Sequence, residues 1–223
     1  MTDLRSALDR ATAEHRLLDH PFYKAWVDGS LTTDDLGFYS AQYWRQVESF
    51  PGYLVALADR LKDGPQKAIV ESNLSDEVDG DHAGLWIRFA SAVGVDEQSL
   101  RSTAPEAETA ACVESFARGV TEESTAFAFG MLYGYESQTP EVARTKADGL
   151  RDRYGVDERG IEYFDLHAGL DVEHSDELAT AMEAMVLDDE DRADAERGAA
   201  AGAAAVWSLL DGVARVRDLR GVS

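Results

Sequence analysis

Apolar residues recur every three or four positions along most of this chain, and no useful stretch alternates at a period of two. The helical spacing is clear in "LRSALDRATAEHRLL", "DLGFYSAQYWRQVESFPGYLVALADRL" and "HAGLWIRFASAVG". Further helices are predicted over 105–119, 122–135, 139–153, 158–178 and 189–219. Pro21, Pro65 and Pro105 fall near predicted helix starts, where a missing N–H costs little. Pro51 and Pro140 fall inside helical patterns and are expected to kink or restart them. The alanine-rich run "RGAAAGAAAVWSLLDGVARV" keeps Val206, Leu209, Leu210 and Val213 at helical spacing, so it reads as a packed terminal helix. Turn signals are short, and neither an internal repeat nor a dividing linker interrupts residues 1–223. The expected architecture is all-α, a bundle of about seven or eight helices forming a single domain.

Composition narrows the partners. The chain has 223 residues, enough for one good-sized core. No run of about 18 apolar residues is present, so no membrane span is expected. The N-terminus "MTDLRSALDR" lacks a secretory pattern, which predicts a cytoplasmic protein. The formal net charge is −22, with 43 acidic against 21 basic residues, which argues against nucleic acid and against an anionic membrane surface. Only Lys24, Lys62, Lys67 and Lys146 are lysines. A surface rich in Asp and Glu and poor in Lys suits a salt-adapted protein, because salt screens its self-repulsion. The single cysteine, Cys112, excludes an intrachain disulfide and a multi-cysteine zinc site.

Candidate chemistry begins at "FDLHAGLDVEH". His167, Asp171 and His174 are spaced at i, i+4 and i+7, which puts three metal-ligating side chains on one helical face. Glu136 ends "AFAFGMLYGYE", and the twelve residues before it carry no charge. A carboxylate closing such an apolar stretch needs a partner, either a metal ion or a compensating arginine. Glu77 and His82 lie in "NLSDEVDGDHAGLWIRF". Five residues of unbroken helix rotate by about 140°, so this pair shares a face only if Gly80 breaks the turn. Otherwise His82 is a helix-flanking residue. Three imidazoles and three carboxylates, expected from three helices, exceed the needs of one zinc ion. They suit two iron or manganese ions bridged by carboxylate. The ligand order differs from the Glu-x-x-His pairs of ferritin-like bundles.

Five ordered stretches, "LLDHPFYKAWVDGSLT", "QYWRQVESFPGYL", "NLSDEVDGDHAGLWIRFASAVGV", "LYGYESQTPEVARTK" and "YFDLHAGLDVEH", together resemble the haem-oxygenase-like di-metal oxidases. Within them the chain is most similar to the branch named for a chlamydial protein that associates with death domains. That branch is related to the pyrroloquinoline-quinone synthesis oxidase and to thiaminase II. The resemblance covers about residues 8–190. It implies a seven-helix haem-oxygenase-like bundle, a homodimer, and a di-iron site on Glu77, His82, Glu136, His167, Asp171 and His174. The Glu77–His82 gap is two residues shorter than in the branch. The branch makes p-aminobenzoate for folate from its own side chains, which implies Tyr23 as the source of the ring and Lys146 as the source of the nitrogen. The residues themselves also allow Tyr23 as a core aromatic and Lys146 as a surface lysine. Only an amine that can lose its proton can donate nitrogen, which lysine can do and arginine cannot. Tyr43 and Tyr135 are further redox-capable phenols near the expected ligands.

The leading expectation is therefore an oxidase or oxygenase using two iron ions, O2 and an external reductant, on an internal side chain or a small molecule. Three other readings compete. A metal-free oxidase would need cationic groups where this chain places carboxylates. A thiaminase-like hydrolase would need a nucleophilic cysteine in "FGMLYGYE", and Cys112 lies elsewhere, in "TAACVESF". A non-enzymatic interaction protein would need a partner-binding surface, for which the sequence gives no sign.

Overall fold

The computed structural model describes residues 3–185 and 188–219, and these contain helices and no β-strand. Helix α1 (Leu4–Thr12) leads through two short 3-10 turns, Ala13–His15 and Leu17–Asp19, into α2 (Pro21–Asp28). The long α3 (Thr33–Arg60) follows, then α4 (Pro65–Asp79), α5 (His82–Ala92) and the short α6 (Glu97–Ser102). Next come α7 (Ala107–Thr121), α8 (Thr125–Glu136) and α9 (Thr139–Asp152). Two long helices finish the bundle, α10 (Glu158–Met185) and α11 (Asp189–Val216). The eight predicted stretches correspond to α1, α3, α5 and α7 to α11, with α1 giving way to a 3-10 turn after Thr12 rather than running on to Leu18. The short α2 and α6, and α4, are additional.

Local chemistry explains the boundaries. Thr32 and Asp35 form a reciprocal capping box at the start of α3: Thr32 Oγ1 accepts from the Asp35 N–H and Asp35 Oδ2 accepts from the Thr32 N–H. Helix α2 begins with Pro21 and is capped by His20, whose Nδ1 accepts from the Phe22 N–H at 3.0 Å. Pro51 does not restart α3, which runs on through it. Pro140 does mark a restart: α8 ends at Glu136 and α9 begins at Thr139. The joint between them is fastened by Gln138, whose Oε1 accepts from the Leu17 N–H at 2.8 Å while its Nε2 donates to the His15 carbonyl at 3.3 Å.

Helices α8 and α11 pack almost backbone to backbone. A Cβ at Gly134 would sit 2.2 Å from the Ala199 carbonyl oxygen, and one at Gly202 would sit 2.2 Å from that of Met131. By length and composition alone α11 could cross a membrane, but half of its most apolar stretch is buried inside the bundle. On the other side of α8, helix α10 packs against α4, α5, α8 and α9. The ligand-bearing faces therefore converge on the interior.

The close approach sets a stability test. Gly134→Ala should destabilise the protein by about 1–3 kcal/mol, since backbone rather than a flexible side chain must move. Gly169→Ala, at a helical site with nothing within 4 Å, should be neutral or stabilising by up to about 1 kcal/mol. Denaturant melts of the two variants check this pair.

Candidate metal centre

Four helices, not the three expected, supply the candidate ligands: Glu77 closes α4, His82 opens α5, Glu136 closes α8, and His167, Asp171 and His174 lie along α10. The α4–α5 joint solves the rotation problem posed by the Glu77–His82 spacing. The Gly80 N–H closes α4 on the Asp76 carbonyl at 3.0 Å. Asp81 then takes a left-handed conformation (φ 51°) and caps α5 by accepting from the Gly84 N–H at 3.2 Å. This turn swings the His82 ring back beside Glu77. It requires glycine at position 80, because a Cβ there would lie 2.5 Å from the Asp76 carbonyl oxygen and 2.8 Å from His82 Nε2.

The site is buried and crowded. His82, Glu136, His167, Asp171 and His174 are each buried to 3% exposure or less. One ligand atom from each of Glu77, His82 and His167 lies within 4.8 Å of the others. His82 Nδ1 approaches Glu77 Oε2 to 2.8 Å, yet neither of its ring nitrogens has a hydrogen-bond alignment with any partner. His167 Nδ1 donates to the Tyr163 carbonyl at 2.7 Å, which leaves Nε2 for another role. Beside this triad lie Glu136, Asp171 and His174, less tightly gathered, with His174 Nδ1 3.7 Å from Asp171 Oδ1. Burial and then the neighbouring Asp171 push the Glu136 carboxyl up to about 8. Burial alone would lower His174, but the carboxylates of Asp171, Glu136 and Asp76 outweigh it and raise the imidazole to about 9.

A second chamber holds Lys146. Its side chain is 4% exposed, so it is not a surface lysine. Nζ lies 5.2 Å from the ring centre of Tyr23, 5.0 Å from those of Tyr39 and Tyr43, and 5.3 Å from that of Phe164. It donates a hydrogen bond to the Tyr39 hydroxyl. Burial lowers the amine to about 7. Phenols connect this chamber to the ligands. Tyr43 donates to the Tyr135 hydroxyl at 3.1 Å, and the Tyr163 ring stacks on the His167 imidazole with centres 4.0 Å apart. Trp86 fills the gap between Tyr43 and Tyr163, at 5.1 and 4.8 Å.

All six candidate ligands thus meet in one interior region, and Tyr23 meets Lys146 in the adjoining one. Sequence reasoning missed Tyr39, Asn73, Asp76 and Tyr163. Three of these precede a residue already singled out by four positions: Tyr39 before Tyr43, Asn73 before Glu77, and Tyr163 before His167. An i, i+4 search along each predicted helix would have found them.

The model of the family described as iron-containing redox enzymes matches residues 38–207. The chain belongs to the iron-containing redox enzymes. It is similar to the 4-aminobenzoate synthase of Chlamydia muridarum, 35% identical over 188 residues that cover 83% of this chain and 80% of that protein. It is 32% identical over 221 residues to the 4-aminobenzoate synthase of Nitrosomonas europaea, covering 94% and 90%. The fold matches the crystal structure of a TenA homologue from Pseudomonas syringae with a TM-score of 0.82, at 18% identity and 95% and 91% coverage.

For an iron-containing redox enzyme the donor set is apt. Glu136 Oε2, His174 Nδ1 and both His82 nitrogens are buried without an aligned hydrogen bond, though carboxylates stand near the two Nδ1 atoms, an arrangement that a bound cation would relieve. Nitrogen and oxygen donors without thiolate suit iron. Cys112 is buried apart from them, with Sγ 3.9 Å from Gln46 Oε1.

The lowered Lys146 pKa has a measurable sign. The folded value, about 7, lies below the unfolded value of 10.5, so the folded chain binds fewer protons between them and gains stability as pH rises through that window. Lys146→Met should therefore raise the melting temperature of metal-free protein by roughly 5 °C at pH 7. That gain should be full at and below pH 7 and should vanish as pH approaches 10.5, which thermal melts across the range will show.

Proposed function

We propose that this chain is a 4-aminobenzoate synthase that uses two iron ions, O2 and an external reductant, and that draws the product from its own side chains. The observation that carries the reading is the Lys146 amine, buried against the Tyr23 ring and joined through Tyr43, Tyr135 and Tyr163 to the carboxylate–imidazole cluster. The relatives that bear the name 4-aminobenzoate synthase support it. Glu77, His82 and His167 would hold one ion, and Glu136, Asp171 and His174 the other. When bound, the iron pair would supply the oxidising power for an otherwise inert phenol ring.

The remaining work falls to the protein. A nitrogen donor must present a lone pair, and a pKa of about 7 leaves a large share of the Lys146 amine neutral near neutral pH. Tyr39 holds that amine by accepting its hydrogen bond. The rings of Tyr23, Tyr39, Tyr43 and Phe164 keep it over apolar faces and away from bulk water, which would compete as a nucleophile. Tyr23 sits on α2 at 1% exposure, with its phenol shifted well up by burial, so it remains protonated until it is oxidised. Consumption of a side chain limits each polypeptide to one turnover.

Anaerobic iron loading followed by O2 should yield at most one 4-aminobenzoate per chain. Protein labelled with [15N]lysine should give 15N-labelled product. Lys146→Arg, which keeps charge and approximate bulk but has no amine to transfer, should give none. Equal yields from Lys146→Arg would exclude Lys146 as the donor, and yields well above one per chain would reject self-sacrifice. Absence of product from both proteins would point to an oxidase acting on an external substrate.

A further inference from the structure

Helix α4 contributes more than Glu77 to the centre. Asn73, Asp76 and Glu77 lie at i, i+3 and i+4, so they share one face of its last two turns. Each meets a different candidate ligand. Asn73 Nδ2 donates to Glu136 Oε1 at 2.9 Å. His174 Nε2 donates to Asp76 Oδ2 at 3.1 Å, since a carboxylate can only accept there. Glu77 reaches His82.

The atoms left over are informative. Glu136 Oε1 is satisfied and Oε2 has no aligned hydrogen bond; His174 Nε2 is satisfied and Nδ1 has no aligned hydrogen bond. The same hydrogen bonds that anchor these two side chains therefore choose which atom of each stays open. The open His174 Nδ1 faces Asp171 Oδ1 at 3.7 Å. We propose that Asn73 and Asp76 are positioning residues for the metal centre, fixing Glu136 to bind through Oε2 and His174 through Nδ1. This rests on the two-metal reading above. Partners of this kind fix the orientation and basicity of a ligating group, and losing one costs about 10–100-fold in metal affinity.

The contacts fall unevenly, which makes the inference testable. Among the described residues Asn73 bonds Glu136 and Asp76 bonds His174, so their loss should weaken one ion of the pair and spare the ion held by Glu77, His82 and His167. The Asp76 side chain is 46% exposed, so its truncation leaves no cavity in the core. The experiment is titration of metal-free protein with Mn2+, with free ion followed by electron paramagnetic resonance. Wild type should take up two ions. Asp76→Ala and Asn73→Ala should each keep one site at wild-type affinity and weaken the other by about 10–100-fold. Asp76→Asn, whose amide oxygen can still accept from His174 Nε2, should recover most of the loss. Unchanged isotherms for both alanine variants would overturn the proposal. So would equal weakening of both sites, the mark of a general structural defect. If wild type binds a single ion, the two-metal reading fails instead, and the positioning role then stands or falls on whether Asp76→Ala weakens that one site.

Discussion

Glu136 carries a carboxylate into the interior at the end of a helix with no other charge, and much of the surrounding structure answers to that fact. A lone buried carboxylate is expensive, and it either finds a counter-charge or takes up a proton. Here α4 brings Asn73 to one oxygen, and α10 brings His174 nearby. The same helix also brings Asp171, a second acid that makes the first harder to ionise. Three carboxylates thus share a region with three imidazoles, and several donor atoms have no aligned hydrogen bond. The polar core is electrostatically complete only with cations in it. Metal uptake and stability are then linked, because ions that bind the folded chain alone shift the folding equilibrium towards it.

The cationic amine is kept apart from this acidic region. Had Lys146 entered it, the carboxylates would have held the amine charged and paired. A layer of Tyr43, Trp86 and Tyr163 separates the two instead, and burial acts on Lys146 without an acid to oppose it. Two neighbouring regions of one helical core thereby push their ionisable groups in opposite directions. One raises an imidazole and a carboxyl, while the other lowers an amine.

Much of this was legible in the chain. The apolar period predicted most of the helices though not α2, α4 or α6, the i, i+4, i+7 spacing marked the shared face of His167, Asp171 and His174, and the uncharged approach to Glu136 marked it as interior. What periodicity could not supply was the joint between helices. The Glu77–His82 spacing looks wrong for a shared site because rotation was counted along an unbroken helix, whereas Asp81 in a left-handed conformation resets it. Pro51 stands inside α3 without ending it, since neighbouring packing carries the helix across one missing hydrogen bond. Asp76 escaped notice because it sits in an acidic run, where composition alone cannot separate a solvated carboxylate from one that holds an imidazole.

Gln138 gives the ten-residue separation of Glu136 and Lys146 a further meaning. The break that separates α8 from α9 could have been a hinge, leaving the carboxylate on one arm and the amine on the other. Its amide instead grips the backbone at His15 and Leu17, just ahead of the helix that carries Tyr23. The joint of α8 and α9 and a segment 121 residues earlier are thereby indexed to a single side chain, as parts of an instrument are indexed to one pin. The ends of the helices that carry the acid, the amine and the phenol are thus tied together at one residue.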